Sequence, residues 1–263
     1  MKKVKLFVNN NIDSIEFSKI LEQELLNNGF TIDDKDYSIA IAIGGDGSFL
    51  RMVKQNNFNS DIYYIGINTG TLGFLQEVRK SDYKDFIKEL VNNEYRVEEL
   101  GIQETIITHN NTTSRFLSLN EIVVRDKELN LVKLKVHING DLLEDFTGDG
   151  LLIATSTGST AYNLSFGGSI VYNAFNTLQI TPIAPINSKV YRSLLNSVII
   201  PSNMNITLSP KVDKRDLVIT IDGENNFYNN VEKIETSIKD KTIKCIRLSH
   251  YNFPEKINDK LLN

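Results

Sequence analysis

Tryptophan is absent from the 263 residues, and cysteine, histidine and proline are scarce at one, three and five. A single cysteine excludes an intramolecular disulfide framework, and the scattered histidines leave no zinc-ligand spacing. No apolar run approaches the roughly 20 residues that a membrane helix needs. The opening segment turns polar at Asn9, too early for the apolar core of a signal peptide. An excess of positive charge is missing too. Lys+Arg 29 against Asp+Glu 33 gives a net charge of −4, which lends no support to a general nucleic-acid binder. These absences leave a soluble chain of a reducing compartment, expected in the cytoplasm, with neither membrane nor nucleic acid as its partner. The 41% hydrophobic and 24% charged residues that are present match globular averages and argue against extended disorder.

The first hundred residues alternate strand and helix signals. Residues 4–8 read as a strand, and residues 14–28 place Phe17, Ile20, Leu21 and Leu25 on one helical face, with Gly29 as its stop. Residues 39–43 form a short β-branched run, after which Phe49, Leu50, Met52 and Val53 take up helical spacing. Residues 62–67 read as another strand, and Tyr83, Phe86, Ile87 and Leu90 mark a helix ending near Asn92. This alternation predicts a parallel sheet with both faces covered. After about Leu100 the period changes. Residues 102–108, 117–124, 131–138, 142–146, 151–154, 198–200, 206–208, 217–221, 231–238 and 243–248 all read as strands, and Asn139-Gly140 as a hairpin turn. This half reads as an all-β sheet or sandwich.

The run 39–43 leads straight into Gly44-Gly45-Asp46-Gly47 and then a helix. Glycines bring a phosphate close to exposed amides, and a helix start adds unsatisfied N–H groups and partial positive charge. An ordinary strand-to-helix turn would carry the same glycines. Asp46 bears on the choice. A carboxylate there repels phosphate unless it holds a metal, a substrate hydroxyl or a proton, and phosphoryl transfer needs a group to take the acceptor's proton. No Lys follows the glycines and GxGxxG spacing is missing, which disfavours a P-loop and the usual dinucleotide turn. A second glycine-rich segment, residues 66–74, follows the next strand; two such loops could face one crevice, although alone it reads as a plain loop. In residues 148–163, hydroxyls, glycines and Asp149 adjoin an apolar strand, and Tyr162 offers a flat face to a ring. A solvated Ser/Thr loop is the plainer reading of that segment, and Gly158-Ser159-Thr160 is no nucleophile elbow. Asn120-Glu121 reads first as a structural strand-end pair, Asp222-Gly223 as a hairpin turn, His137 as solvent-facing and Cys245 as core.

Taken together, Gly44-Gly45-Asp46-Gly47, Asn120-Glu121 and residues 148–168 resemble the NAD kinase family in content, order and spacing, and the likeness extends over nearly the whole chain. Residues 68–75 look like the family's second glycine loop. Diacylglycerol kinases, sphingosine kinases and phosphofructokinases share forms of the first motif; the long third one is specific to NAD kinases. The resemblance implies an α/β domain with a Rossmann-like parallel sheet over 1–99, to which residues 249–263 return. It implies an all-β sandwich domain over 100–248 that binds NAD. It also implies transfer of the ATP γ-phosphate to the 2′-hydroxyl of the adenosine ribose of NAD. Mg²⁺ or another divalent cation would accompany ATP, with no metal ligand from the chain.

By the same resemblance Asp46 would accept the hydroxyl's proton, Gly44 and Gly45 would face phosphates, and Arg51 would meet one. Gly47 and Phe74 would be pocket neighbours. Asn120 and Glu121 would bind the dinucleotide, with Asp149 at its nicotinamide-ribose end. Thr157, Thr160, Ala161, Tyr162, Asn163 and Ser165 would line the pocket, and Ala184 matches another contact position. Family members are commonly homotetramers or dimers. Three departures stand out: Thr155-Ser156-Thr157-Gly158 where the family usually has Thr-Pro-Thr-Gly, Thr147 where many members carry a basic residue, and Asn196-Ser197 in place of Arg-Pro. A lipid or sugar kinase sharing the glycine loop, or a dinucleotide sensor without turnover, are the alternative readings.

Overall fold

The structure is a computed structural model that describes residues 2–70, 73–212, 215–249 and 251–262. It divides into two compact units, Met1–Leu100 with Thr242–Asn263, and Gly101–Lys241. No helix among the described residues is long and apolar enough to cross a membrane.

The first unit is built on a parallel sheet in the order Thr31–Ile32, Lys3–Val8, Ile39–Ile43, Tyr63–Asn68. On the free edge of Tyr63–Asn68, Lys244 and Cys245 pair at its start and Val78–Arg79 at its end, again in parallel. Ile39–Ile43 is buried at every residue, as a central strand covered on both faces must be. Ile39, Ile41 and Ile43 share one core with Phe17, Leu21 and Leu25 of the helix Ile12–Asn27 and with Phe86, Ile87 and Leu90 of the helix Tyr83–Asn92. The helix Asp46–Gln55 packs against the strand it follows and buries Phe49, Met52 and Val53. The Asn11 side chain caps the first helix by accepting from the Ser14 amide at 2.8 Å. Ile20, expected on the buried face of that helix, is 52% exposed; Ser14, Phe17, Leu21 and Leu25 alone set the seam. Cys245 is core as expected, and burial pushes its thiol up to about 12, which removes it as a nucleophile at neutral pH.

The second unit is a β-sandwich. One layer runs Val198–Pro201, Thr177–Ile183, Gly150–Thr155, Glu121–Asp126, Arg215–Ile221 and the start of Glu224–Leu248, with each neighbour antiparallel. The other contains Asp141–Gly148, Val132–Ile138, Ile206–Pro210 and the middle of Glu224–Leu248, followed by Tyr95–His109 and Thr112–Ser118. A single core lies between them and includes Val124, Leu134, Phe146, Ile153, Ile180, Leu208, Ile219 and Ile234. The α/β and β-sandwich classes read from periodicity are both present. Asn139-Gly140 and Asp222-Gly223 make the expected hairpins, with positive φ at all four residues.

Individual strands differ from expectation where polar residues are buried. Residues 117–124 are two strands, Thr112–Ser118 and Glu121–Asp126, broken at Leu119-Asn120. Residues 231–238 and 243–248 belong to one strand, Glu224–Leu248. Thr177–Ile183 escaped notice because Gln179, Thr181 and Pro182 interrupt its apolar pattern. Gln179 is buried because its amide brackets Ser169 N and O at 2.7 and 3.0 Å, and Thr181 because it donates to Asn163 Oδ1 at 2.6 Å. Pro182 lies beyond the reach of the edge strand Val198–Pro201, which pairs only as far as Ile180, so no ladder bond is lost there. His137 is half-buried in Val132–Ile138 rather than fully open.

The first helix offers a direct check on its seam. Leu21→Ala is expected to cost about 2–5 kcal/mol, as a buried leucine truncation does, and Ile20→Ala less than about 1 kcal/mol. Urea unfolding of both variants measures this; equal losses would contradict the assigned buried face.

Candidate functional site

In the first unit the site residues gather at the carboxyl end of Ile39–Ile43. Gly45 caps the helix Asp46–Gln55 without a side-chain bond, leaving only its carbonyl to serve the first turn. Asp46 opens that helix and is half-buried. Its two carboxylate oxygens are held separately: Oδ2 accepts from Phe74 N at 2.9 Å and Oδ1 from Leu75 N at 3.1 Å. Gly73 makes this possible. A Cβ at that position would lie 1.8 Å from Asp46 Oδ1, so the chain approaches the carboxylate only where no side chain exists. Gln76 continues the clamp by donating from Nε2 to Gly45 O at 2.7 Å, while Ser48 N donates to the same carbonyl at 2.8 Å. Arg51 is exposed and rests on Asn9 Oδ1 and Ser48 Oγ at 3.1 and 3.0 Å, beside Gly47. The structure therefore brings Gly44, Gly45, Asp46, Gly47, Arg51 and Phe74 together. Thr71 and Leu72 of the second glycine segment lie outside the described residues. Two buried polar atoms here have no partner, Asn68 Nδ2 and Gln76 Oε1.

In the second unit the fully buried strand Gly150–Thr155 ends in two short helical turns, Thr157–Thr160 and Tyr162–Ser165. The break after Thr112–Ser118 is locked to this end: Thr155 N donates to Asn120 O at 2.9 Å and Thr155 Oγ1 to Leu119 O at 2.6 Å. Gly158 lies over the same carbonyl, where a Cβ would approach Asn120 O to 2.0 Å. From the other side, Asp222 accepts from the amides of Leu119, Asn120 and Glu121 at 2.7, 2.8 and 3.2 Å. Sequence reasoning saw only a turn in Asp222-Gly223, because its carboxylate acts about a hundred residues away. Asn120 and Glu121 are both buried, and Asn120 Oδ1 and Glu121 Oε2 have no hydrogen-bond partner. Burial, and then the nearby Asp222 carboxylate, push the Glu121 carboxyl up to about 8, against an opposing amide bond from Tyr162. At neutral pH Glu121 is therefore mostly protonated and has an O–H to donate.

The remaining residues of this unit divide by exposure. Tyr162 is exposed, edge-on to Phe166 at 4.7 Å, with the Arg125 guanidinium over both rings at 5.6 and 5.7 Å. Arg125 also donates to the Tyr162 hydroxyl at 3.0 Å, and sequence reasoning had no signal for it. Ser165, Asp149 and Ala184 are exposed, and Thr160 and Ala161 half-buried. Asp149 and Ala184 flank the paired ends Gly150 and Ile183, with the Asp149 amide donating to Ile183 O at 3.0 Å. Asn163 and Thr157 are buried, and the Asn163 amide is occupied by Ser159 O and Thr181 Oγ1 at 3.2 and 2.6 Å. Ser156, which stands where the family pattern has proline, has φ −57°, within the range a proline ring would impose. Its hydroxyl accepts from Thr177 N at 3.2 Å and donates to Phe175 O, so hydrogen bonds hold what the ring would have held. Thr147 is buried and tied through its backbone to Ser193 Oγ, and it presents no charge.

Comparison with known proteins follows the same two units. Residues 4–95 match the ATP-NAD kinase N-terminal domain and residues 119–247 the ATP-NAD kinase C-terminal domain. The NAD kinase of Finegoldia magna is 40% identical, covering 99% of this chain and 98% of its own. That of Streptococcus agalactiae is 37% identical over 89% of this chain and 85% of its own. Among solved structures, a yeast NADH kinase in complex with NADH superposes with a TM-score of 0.86 at 20% identity, covering all of this chain and 87% of that one. An Archaeoglobus fulgidus NAD kinase in complex with ATP gives 0.79 at 19% identity, covering 98% and 99%. The two structures share the fold; the curated relatives, one of them matched from end to end, set aside the lipid-kinase and sugar-kinase readings. The chain belongs to the NAD kinase family and is an ATP-dependent NAD kinase.

Proposed function

We propose that the enzyme transfers the γ-phosphate of ATP to the 2′-hydroxyl of the adenosine ribose of NAD, with Asp46 taking the hydroxyl's proton. The observation that carries this reading is the bidentate seat of Asp46 on the Phe74 and Leu75 amides. Each oxygen spends one acceptor direction on an amide and keeps another for a substrate hydroxyl. Two amide donors fix the carboxylate in place, so it orients the hydroxyl before it takes the proton. The proton then moves late, as the phosphoryl group reaches the oxygen. Gly45 and Gly47, exposed at the start of the helix, suit an anion, with Gly44 buried behind them and its amide on Ile67 O at 3.0 Å, and Arg51 adds a cation one turn along. Mg²⁺ enters as part of the ATP substrate and offsets repulsion between the triphosphate and Asp46.

In the second unit, Asn120 and Glu121 are assigned to the dinucleotide because their free polar atoms are already desolvated and need a partner. Tyr162, with Arg125 behind it, is a flat face for a ring, and Thr157, Thr160, Ala161, Asn163 and Ser165 shape the surrounding turn. Asp149 and Ala184, side by side at the strand ends, are assigned to the nicotinamide-ribose end. Asp222 holds the Asn120-Glu121 backbone and so fixes both side chains. By the family resemblance the enzyme acts in the cytoplasm as a homotetramer or dimer, with no role for membrane or nucleic acid.

Incubation with NAD and Mg-ATP followed by a specific NADP assay is expected to show 2′-phosphorylation. Asp46→Asn is expected to keep NAD binding and lose about 10²–10⁴ in kcat; wild-type turnover in that variant would remove Asp46 from proton transfer. Glu121 gives a pH test. Its protonated form is the donor, so NAD affinity should hold level up to about pH 8 and weaken by up to tenfold per unit above it. Glu121→Gln, a donor at every pH, should flatten the titration of NAD affinity over that window. Equal alkaline weakening in both proteins would show that another group is responsible.

A further inference from the structure

The helix Phe253–Leu261 carries one buried residue, and it is a lysine. Lys256 is 7% exposed, and burial pulls its ammonium down from the ordinary lysine range while the Glu77 carboxylate pushes back. Nothing in the phosphoryl-transfer scheme above uses this cation. Its partners show what it does. Nζ donates to the backbone carbonyl of Gln76 at 2.8 Å and to Glu77 Oε2 at 3.1 Å. Glu77 has other partners: Arg247 Nη1 stands 3.2 Å from Oε2 and Leu248 N donates to Oε1 at 3.0 Å. Arg247 is in turn bonded to Glu98 at 2.7 Å. Lys256 is therefore not the sole counter-charge of Glu77, and its shorter bond goes to a main-chain oxygen of a segment outside helix and strand.

That segment is the one that seats Asp46. Over four consecutive residues, the amides of Phe74 and Leu75 hold the Asp46 carboxylate, the Gln76 side chain holds the Gly45 carbonyl, and the Gln76 carbonyl and Glu77 carboxylate hold Lys256. Glu77 N is fixed to Gly66 O at 2.9 Å, so the segment is pinned at its far end to the sheet and to the terminal helix together. We propose that Lys256 is a positioning residue for phosphoryl transfer, acting through residues 74–77 to hold the Asp46 carboxylate in its reactive orientation. The inference rests on Asp46 being the proton acceptor. The terminal helix is thereby part of the catalytic apparatus without touching substrate.

The test is a double-mutant cycle in the full-length enzyme, read as kcat and KM for NAD, well below the melting transition of each variant. Lys256→Met is expected to lower kcat about tenfold and to leave KM within roughly twofold, because a displaced acid costs turnover rather than binding. Lys256→Arg, which keeps a donor and a charge, should recover most of the loss. In the Asp46→Asn background Lys256→Met should lower kcat no further, since the group it positions is gone. If Lys256→Met fails to fold, Gln76→Met cuts the next link, to Gly45, and should give the same pattern. Wild-type kcat in the folded variant, or an equal fold-loss in both backgrounds, would overturn the proposal. Full turnover by Asp46→Asn alone would instead sink the proton-acceptor assignment, so the two failures are distinguishable.

Discussion

One constraint organises the first unit's site: a carboxylate at a helix N-terminus is gripped by two consecutive backbone amides from another loop. An aspartate there would otherwise be free to rotate or to cap its own helix. The grip denies it those options and leaves one direction on each oxygen for a ligand. It exists because Gly73 has no side chain, since a Cβ at that position would overlap Asp46 Oδ1. It persists because the residues that follow are themselves anchored, by Gln76 to Gly45 and by Glu77 to Arg247 and Lys256. The cost of burying three charges in this corner, Glu77, Arg247 and Lys256, is offset by their mutual pairing.

The second unit solves a comparable problem differently. Asn120 and Glu121 keep unpartnered polar atoms in a buried place, which is costly unless something holds them there. Asp222 does so by collecting three consecutive amides, and Thr155 and Gly158 close on the same turn from behind. The two carboxyl groups, Glu121 and Asp222, resist being charged together, and the more buried one keeps its proton. A polar pair that reads from sequence as a strand-end irregularity is thus an assembled donor–acceptor set.

What was legible follows from which interactions are local. The all-buried strand Ile39–Ile43 and the glycine turn after it announce themselves by composition, as do the positive-φ hairpins at Asn139 and Asp222. The change of period near Leu100 shows the passage from helix-covered sheet to sandwich. Thr177–Ile183 was missed because its buried Gln179 and Thr181 are satisfied by Ser169 and Asn163, partners that no pattern along the strand reveals. Asp222, Arg125 and Lys256 were missed for the same reason, each acting on residues distant in sequence. Ser156 shows the converse. Its departure from the proline of the family pattern changed how the backbone angle is held, and the angle itself stayed where proline would put it.

The most direct measurement is a crystal structure of the enzyme with NAD bound, read at the adenosine ribose. The account predicts the 2′-hydroxyl within hydrogen-bond reach of the Asp46 carboxylate, about 2.6–3.2 Å, with the Phe74 and Leu75 amides still in place. A ribose bound far from that acid, or an Asp46 released from the two amides and turned away, would contradict it.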